Sequence, residues 1–113
     1  MTPTHVPEAG DIAYMDFDPQ AGREQSRRRP ALVLTPSRYN ALAGLAIVAP
    51  ITSKVKGYPF EVALGDSGPV RGVVLADQLK SLDWRVRGFE FVCRSNKGVL
   101  QEVRHRLGEL LDV

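Results

Sequence analysis

Asp16-Phe17-Asp18-Pro19, Glu24-Gln25-Ser26-Arg27-Arg28-Arg29-Pro30 and Ala31-Leu32-Val33-Leu34-Thr35 follow one another within residues 16–35. The run leaves an alternating segment, Ile12–Phe17, which reads as a first strand with both faces partly apolar. Asp-Pro starts a turn. A polar loop follows, and Ala31–Leu34 is a short apolar stretch of the kind that forms a buried strand. Pro30 has no backbone N–H, so it is tolerated where a strand begins rather than inside a ladder. It also biases Arg29 towards an extended backbone. Arg29 therefore stands at the mouth of a strand, with Glu24, Arg23, Arg27 and Arg28 near it in the chain. Four arginines among residues 23–29 make a local anion site.

Upstream, residues 1–9 carry two prolines and read as a loose lead-in. Downstream, Thr35-Pro36-Ser37 opens a short turn or a single helical turn through Tyr39-Asn40. Leu45–Ile51 is a buried strand rich in branched side chains, stopped near Pro50. Residues 53–59 form a basic loop containing Gly57, and Phe60–Leu64 alternates as a half-buried strand should. Gly65 to Pro69 turn the chain, and Gly72–Ala76 is a strand that continues through Asp77–Ser81, where polar side chains take over. Trp84, Arg85 and Arg87 lead to a last short strand, Phe89–Cys93. The tail from about Ser95 reads as the one helix, with Leu100, Val103, Leu107 and Leu110 as its apolar stripe. Gly98 blurs its start, and Gly108 inside it costs about 1 kcal/mol relative to alanine. Many short strands and then one helix predict a mainly β (α+β) domain, a small bent sheet that closes on itself to hide its edges. Periodicity by itself supports a small β-barrel or an α+β fold.

The 113 residues make one domain, 1–113, with room for one modest core. Hydrophobic residues at 43% and charged residues at 25% are those of an ordinary soluble globular chain. The net charge is only +2, so nucleic acid is a plausible partner only if charge is uneven. It is: basic residues gather at 23–29, 54–56, 80–87 and 94–106. Cys93 has no second cysteine to pair with, which fits a reducing compartment, and nothing near it suggests an activated thiol. There is no signal-peptide pattern. The longest apolar stretch, Ala41–Ile51, is broken by Gly44 and Pro50 and is too short to span a bilayer. A cytoplasmic protein without membrane contact is expected. His5 and His105 are far apart, which argues against a metal site or a histidine acid–base pair. Asp16 and Asp18 are hard-cation ligands by type, yet Asp18-Pro19 reads as a turn and no third carboxylate is close. No metal and no cofactor are expected.

A resemblance rests on several motifs in order: Gly10-Asp11, Asp16-Phe17-Asp18-Pro19, Gly22, Glu24-Gln25, Arg29-Pro30-Ala31, Pro50-Ile51-Thr52, Lys56-Gly57-Tyr58-Pro59-Phe60-Glu61-Val62 and Asp77-Gln78-Leu79-Lys80-Ser81. Together they cover nearly the whole chain, which resembles the MazF/PemK family, the toxin halves of prokaryotic toxin–antitoxin pairs. The resemblance implies an SH3-like barrel of the MazF/CcdB type with a C-terminal helix, working as a homodimer. It implies a sequence-specific, metal-independent endoribonuclease that cuts single-stranded mRNA, leaves 2′,3′-cyclic phosphate and 5′-hydroxyl ends, and arrests translation. It also implies a cognate MazE-like antitoxin with a mostly acidic disordered segment, and contact with DNA only indirectly, through the antitoxin complex. Arg27 and Arg28 depart from the pattern, since relatives often carry a small residue and a histidine there.

Cutting RNA without a metal requires a base for the 2′-OH, a clamp for the charge on the phosphate oxygens and an acid for the leaving 5′ oxygen. Arg29 is the clamp by type, because guanidinium meets phosphate in a planar, two-pronged geometry. Glu24 is offered as the base and Thr52 as a neutral donor at a strand end. Both have duller readings: Glu24 paired to a neighbouring arginine, and Thr52 capping a turn through its hydroxyl. Gln25, Arg28, Lys54, Lys56, Gln78 and Lys80 are the candidate RNA-binding residues. Gln78 and Lys80 are expected to alternate along one strand and project from one face. Phe17, Tyr58 and Phe60 are candidate stacking platforms for splayed bases, although Phe60 and Trp84 read better as packing. Two other functions fit: a CcdB-like, non-enzymatic poison of DNA gyrase on the same fold, and a small RNA-binding module without catalysis.

Overall fold

The computed structural model of the chain describes residues 5–17 and 28–113. Glu24 and Gln25 lie outside the described residues. The elements run β1 (Asp11–Asp16), β2 (Arg28–Val33), α1 (Ser37–Ala43), β3 (Leu45–Thr52), β4 (Glu61–Ala63), β5 (Val73–Leu75), β6 (Lys80–Asp83), β7 (Glu90–Arg94) and α2 (Lys97–Leu111).

β3 is the strand on which the sheet is built. On one side it pairs with β2, through Ala31↔Pro50 to Val33↔Val48. On the other side its first half takes β6 (Leu45↔Asp83 to Val48↔Lys80) and its end takes β5 (Ile51↔Val74, Thr52↔Val73). Pro50 falls between those two partners. Continuing the register sets it opposite Leu75, to which it has no N–H to give. The Leu75 carbonyl accepts instead from the Gln78 backbone N–H, at 3.1 Å, closing the turn from β5 to β6. Pro50 thus lies inside β3 rather than ending it. The strand expected from Gly72 through Ser81 is broken in two by that turn.

All pairings are antiparallel, in the order β4-β5-β3-β2-β1-β7 with β6 beside β3. The path has two ends, so among the described residues the sheet does not close on itself as expected. A helix does the sealing in its place. Val99 and Val103 of α2 are buried against Ile12, Leu32, Ala49, Ile51 and Val74 on one face of the sheet. The other face holds a second core of Met15, Ala31, Val33, Ala46, Val48, Leu82 and Trp84. Strand residues alternate between the two cores, which is why β1, β2 and β3 are apolar on both sides.

Other differences have local causes. β2 begins at Arg28, so Pro30 sits within it, opposite Tyr14 of β1. No β3 residue is registered with Pro30, and the lost donor costs no ladder bond there. The lead-in is packed from Pro7 onward, because Pro7 and Ala9 are buried and Glu8 accepts the Ser37 N–H at 2.7 Å. That bond caps α1, a second helix of two turns where only a single turn was expected; Gly44, at φ +73°, ends it. In α2 the stripe is rotated by about one residue. Val99 and Val103 are buried and Leu100 and Leu107 half-covered, whereas Leu110 is 46% exposed.

Candidate functional site

Arg29 lies on β2 opposite Met15 of β1 and is exposed. Residues two apart on a strand share a face, so Arg29 follows Ala31 and Thr52 follows Pro50. Ala31 and Pro50 are direct cross-strand partners. Arg29 and Thr52 therefore belong to one face of the sheet, and extending the register two residues sets them opposite each other. Among the described residues Arg29 makes no ion pair. The half-buried Thr52 accepts the Lys54 N–H through Oγ1, at 3.1 Å. That is the turn-capping role. It leaves the hydroxyl proton free to donate, so the two readings of Thr52 are compatible.

The backbone of Gly72 packs close against Thr52. A Cβ on Gly72, at φ +122°, would stand 2.1 Å from the Thr52 carbonyl oxygen. Only glycine lets β5 draw that near to the end of β3.

The basic loop after Thr52 has a tether of its own. Glu61 accepts the backbone N–H groups of Lys56 (3.0 Å) and Gly57 (2.9 Å), and Arg106 of α2 donates to the Pro59 carbonyl. Lys54 and Lys56 are exposed on this loop, and Lys56 Nζ lies 5.9 Å from the centre of the Tyr58 ring. Tyr58 is 55% exposed, while Phe17 and Phe60 are half-buried against the two cores. Of the three candidate platforms, Tyr58 alone presents its ring. Trp84 packs as read, 3% exposed, with Nε1 donating to the Asn40 carbonyl at 3.0 Å.

Lys80 opens β6 opposite Val48 and so shares the face of Arg29 and Thr52. Gln78 is exposed but lies in the turn before β6, not on a strand with Lys80. The expected alternation of the pair is corrected, since the Leu75–Gln78 turn intervenes.

Arg28 is engaged differently from every other candidate among the described residues. Nη1 donates to Asp16 Oδ1 (3.2 Å), and Nη2 donates to the Gly88 carbonyl (2.8 Å) and to Glu90 Oε1 (3.0 Å). Burial disfavours its charge, but the hydrogen bonds it donates to Glu90 and Asp16 outweigh that and raise its pKa. Asp16, considered with Asp18 as a cation ligand, is thus Arg28's partner.

The family described as PemK-like, MazF-like toxin of type II toxin–antitoxin system matches residues 8–111. The chain is 52% identical over 89 residues to the endoribonuclease toxin MazF of Escherichia coli K12, 78% of each chain. It is 35% identical over 108 residues to the Escherichia coli endoribonuclease PemK, covering 92% of this chain and 81% of that one. The crystal structure of MazE–MazF (form II) from Deinococcus radiodurans superposes with a TM-score of 0.90 at 52% identity, over 97% of this chain and 99% of that one. This chain belongs to the MazF/PemK toxin family.

In this MazF-like toxin, several residues that shape the site escaped the sequence reading. Glu61 is one, and the short spacing from Lys56-Gly57 to Glu61 is the sign in the chain of a loop clasp. Asp11 is fully buried, and its carboxylate receives Arg94 Nη1 (2.7 Å), His5 Nε2 (2.8 Å) and the Glu8 N–H (2.9 Å). It ties the lead-in of the toxin to β7. Gly72 and Glu90 act through contacts distant in sequence. Burial first, and the nearby Asp11 second, push the Cys93 thiol pKa up.

Proposed function

We propose that this toxin is a sequence-specific, metal-independent endoribonuclease that cuts single-stranded mRNA and so arrests translation. The observation that carries the reading is the exposed Arg29 at the head of β2, on the face of the sheet shared with Thr52 and Lys80. A guanidinium there is open to a phosphate from solvent.

In the proposed reaction the ribose 2′-OH, giving its proton to a base, attacks the adjacent phosphorus, and the bond to the 5′ oxygen breaks as that oxygen takes up a proton from solvent. The ends are a 2′,3′-cyclic phosphate and a 5′-hydroxyl. Arg29 steadies the charge that builds on the non-bridging oxygens, and the Thr52 hydroxyl donates to one of them. Glu24 is the proposed base for the 2′-OH proton. Lys54, Lys56 and Lys80 hold flanking phosphates, Gln78 and Gln25 read base edges, and Tyr58 offers a stacking face.

The whole chain, 1–113, is proposed to act as one toxin domain in a homodimer in the cytoplasm. Among the described residues no helix is long and apolar enough to cross a membrane. The Deinococcus relative was solved as a MazE–MazF complex. A MazE-like antitoxin is proposed to block this toxin too, and DNA contact to pass only through that complex. The gyrase-poison reading has no observation in its favour.

Incubating the toxin with a defined single-stranded RNA in EDTA tests the proposal. Cyclic-phosphate and 5′-hydroxyl fragments are expected, together with their loss in Arg29→Ala while RNA binding persists. Intact RNA with the unsubstituted toxin overturns it.

A further inference from the structure

Resting on the reading of Arg29 as the phosphate clamp, we propose that Arg28 is a positioning residue, bolting the head of β2 to β1 and β7 so that Arg29 is held ready. It is then not an RNA contact. The first argument is geometric. Arg28 pairs with Asp16 and Arg29 with Met15, so consecutive residues send their side chains to opposite faces of the sheet. Arg28 cannot join Arg29 on the same phosphate.

The second argument is where the guanidinium goes. Its three hydrogen bonds reach Asp16 at the end of β1, Gly88 in the turn before β7 and Glu90 on β7. Those anchors are braced in turn: Arg87 Nη1 donates to the Asp16 and Phe17 carbonyls (3.0 and 3.2 Å), and the Asp16 N–H donates to Arg87 O (2.9 Å). The fit is close. A Cβ on Gly88, at φ +65°, would stand 2.9 Å from Arg28 Nη1 and 3.4 Å from Asp16 Oδ2.

The third argument is need. Pairing of β2 with β3 ends at Ala31↔Pro50, and Pro30 has no N–H to carry it further. Residues 28–30 therefore have a ladder partner on one side only, β1. A strand head held by one neighbour frays unless a side chain ties it. Arg28 is that tie. Its side chain is 35% exposed and that of Glu90 67%, so the pairs add little to global stability, and the effect is local.

The test uses the full toxin, single-stranded RNA for turnover and uncut 2′-O-methyl RNA for binding. Arg28→Ala is expected to lower kcat on the order of tenfold, with KM within about twofold. The slope of log affinity against log salt should stay unchanged, whereas Arg29→Ala lowers its magnitude by about 0.7, the share of one single-strand phosphate. Glu90→Gln should cost part of the same kcat, and adding it to Arg28→Ala should cost nothing more. A salt slope reduced by Arg28→Ala, or fully additive losses, overturns the proposal. Amide exchange reads the bolt without any RNA. Arg28→Ala should speed exchange at Arg29 and Ala31 on the order of tenfold relative to Val33, and unchanged exchange overturns it. If the unsubstituted toxin cuts no RNA, the nuclease reading falls, and the exchange result alone decides the bolt.

Discussion

Arg28 and Arg29 are neighbours in the chain and sit on opposite faces of the sheet, because a strand turns successive side chains to opposite sides. Arg29 is the exposed one, with no ion pair among the described residues. Arg29→Ala should reduce cleavage on the order of 10²–10³-fold, measured as kcat on a defined RNA. Arg29→Lys should recover little of it, since an ammonium cannot reproduce the two-pronged contact. Gly72 makes a second prediction at this scale. Gly72→Ala would set a Cβ 2.1 Å from Thr52 O and 2.8 Å from its carbonyl carbon, both backbone atoms that cannot swing away. The end of β3 must shift, and a loss of about 2–4 kcal/mol in chemical denaturation is expected, together with weaker cleavage. Arg29 was legible in the sequence through its place before proline. Gly72 was not, because what it avoids lies on another strand.

Helix α1 shows how an element can depend on a distant residue. Pro36 at its start supplies no side-chain cap, and its first turn contains no acidic residue. Glu8 supplies the acceptor from the lead-in, at 2.7 Å from the Ser37 nitrogen. The Ser37 hydrogen bonds hold the Glu8 carboxyl below its usual range, with Arg94 adding a smaller pull. A folded-state pKa lowered in this way contributes stability above the unfolded value of about 4.5, and that contribution is lost as pH falls through the folded value. Glu8→Ala should cost about 1 kcal/mol at neutral pH. Glu8→Gln keeps an acceptor and should flatten the acid limb of stability against pH, read by urea unfolding at a series of acidic pH values. Inside the same helix Asn40 is fully buried: it donates to the Pro7 and Thr35 carbonyls (both 2.8 Å) and accepts from Thr35 Oγ1 (2.6 Å). Asn40→Ala leaves these groups unpaired and should cost about 2–4 kcal/mol in urea unfolding.

Across the whole molecule, β3 and α2 do the joining. β3 gives one edge to β2 and divides the other between β6 and β5, and α2 covers the face that the open sheet leaves bare. Val103 is fully buried in that contact, so Val103→Ala should lower stability by about 2 kcal/mol without changing the salt dependence of RNA binding. The order of short strands, the apolar runs of β1 to β3, the C-terminal helix and the exposed basic loop at 53–59 follow from local spacing and residue type. Those signals act over a few residues, so they are written in the chain itself. The opening of the sheet, the break between β5 and β6, the cap on α1 and the different surroundings of Arg28 and Arg29 are not. Each depends on which strands become neighbours: Pro50 deprives Leu75 of a partner, Glu8 reaches Ser37, and Asp16, Gly88 and Glu90 converge on one guanidinium. Only the folded backbone brings such distant groups within hydrogen-bond range.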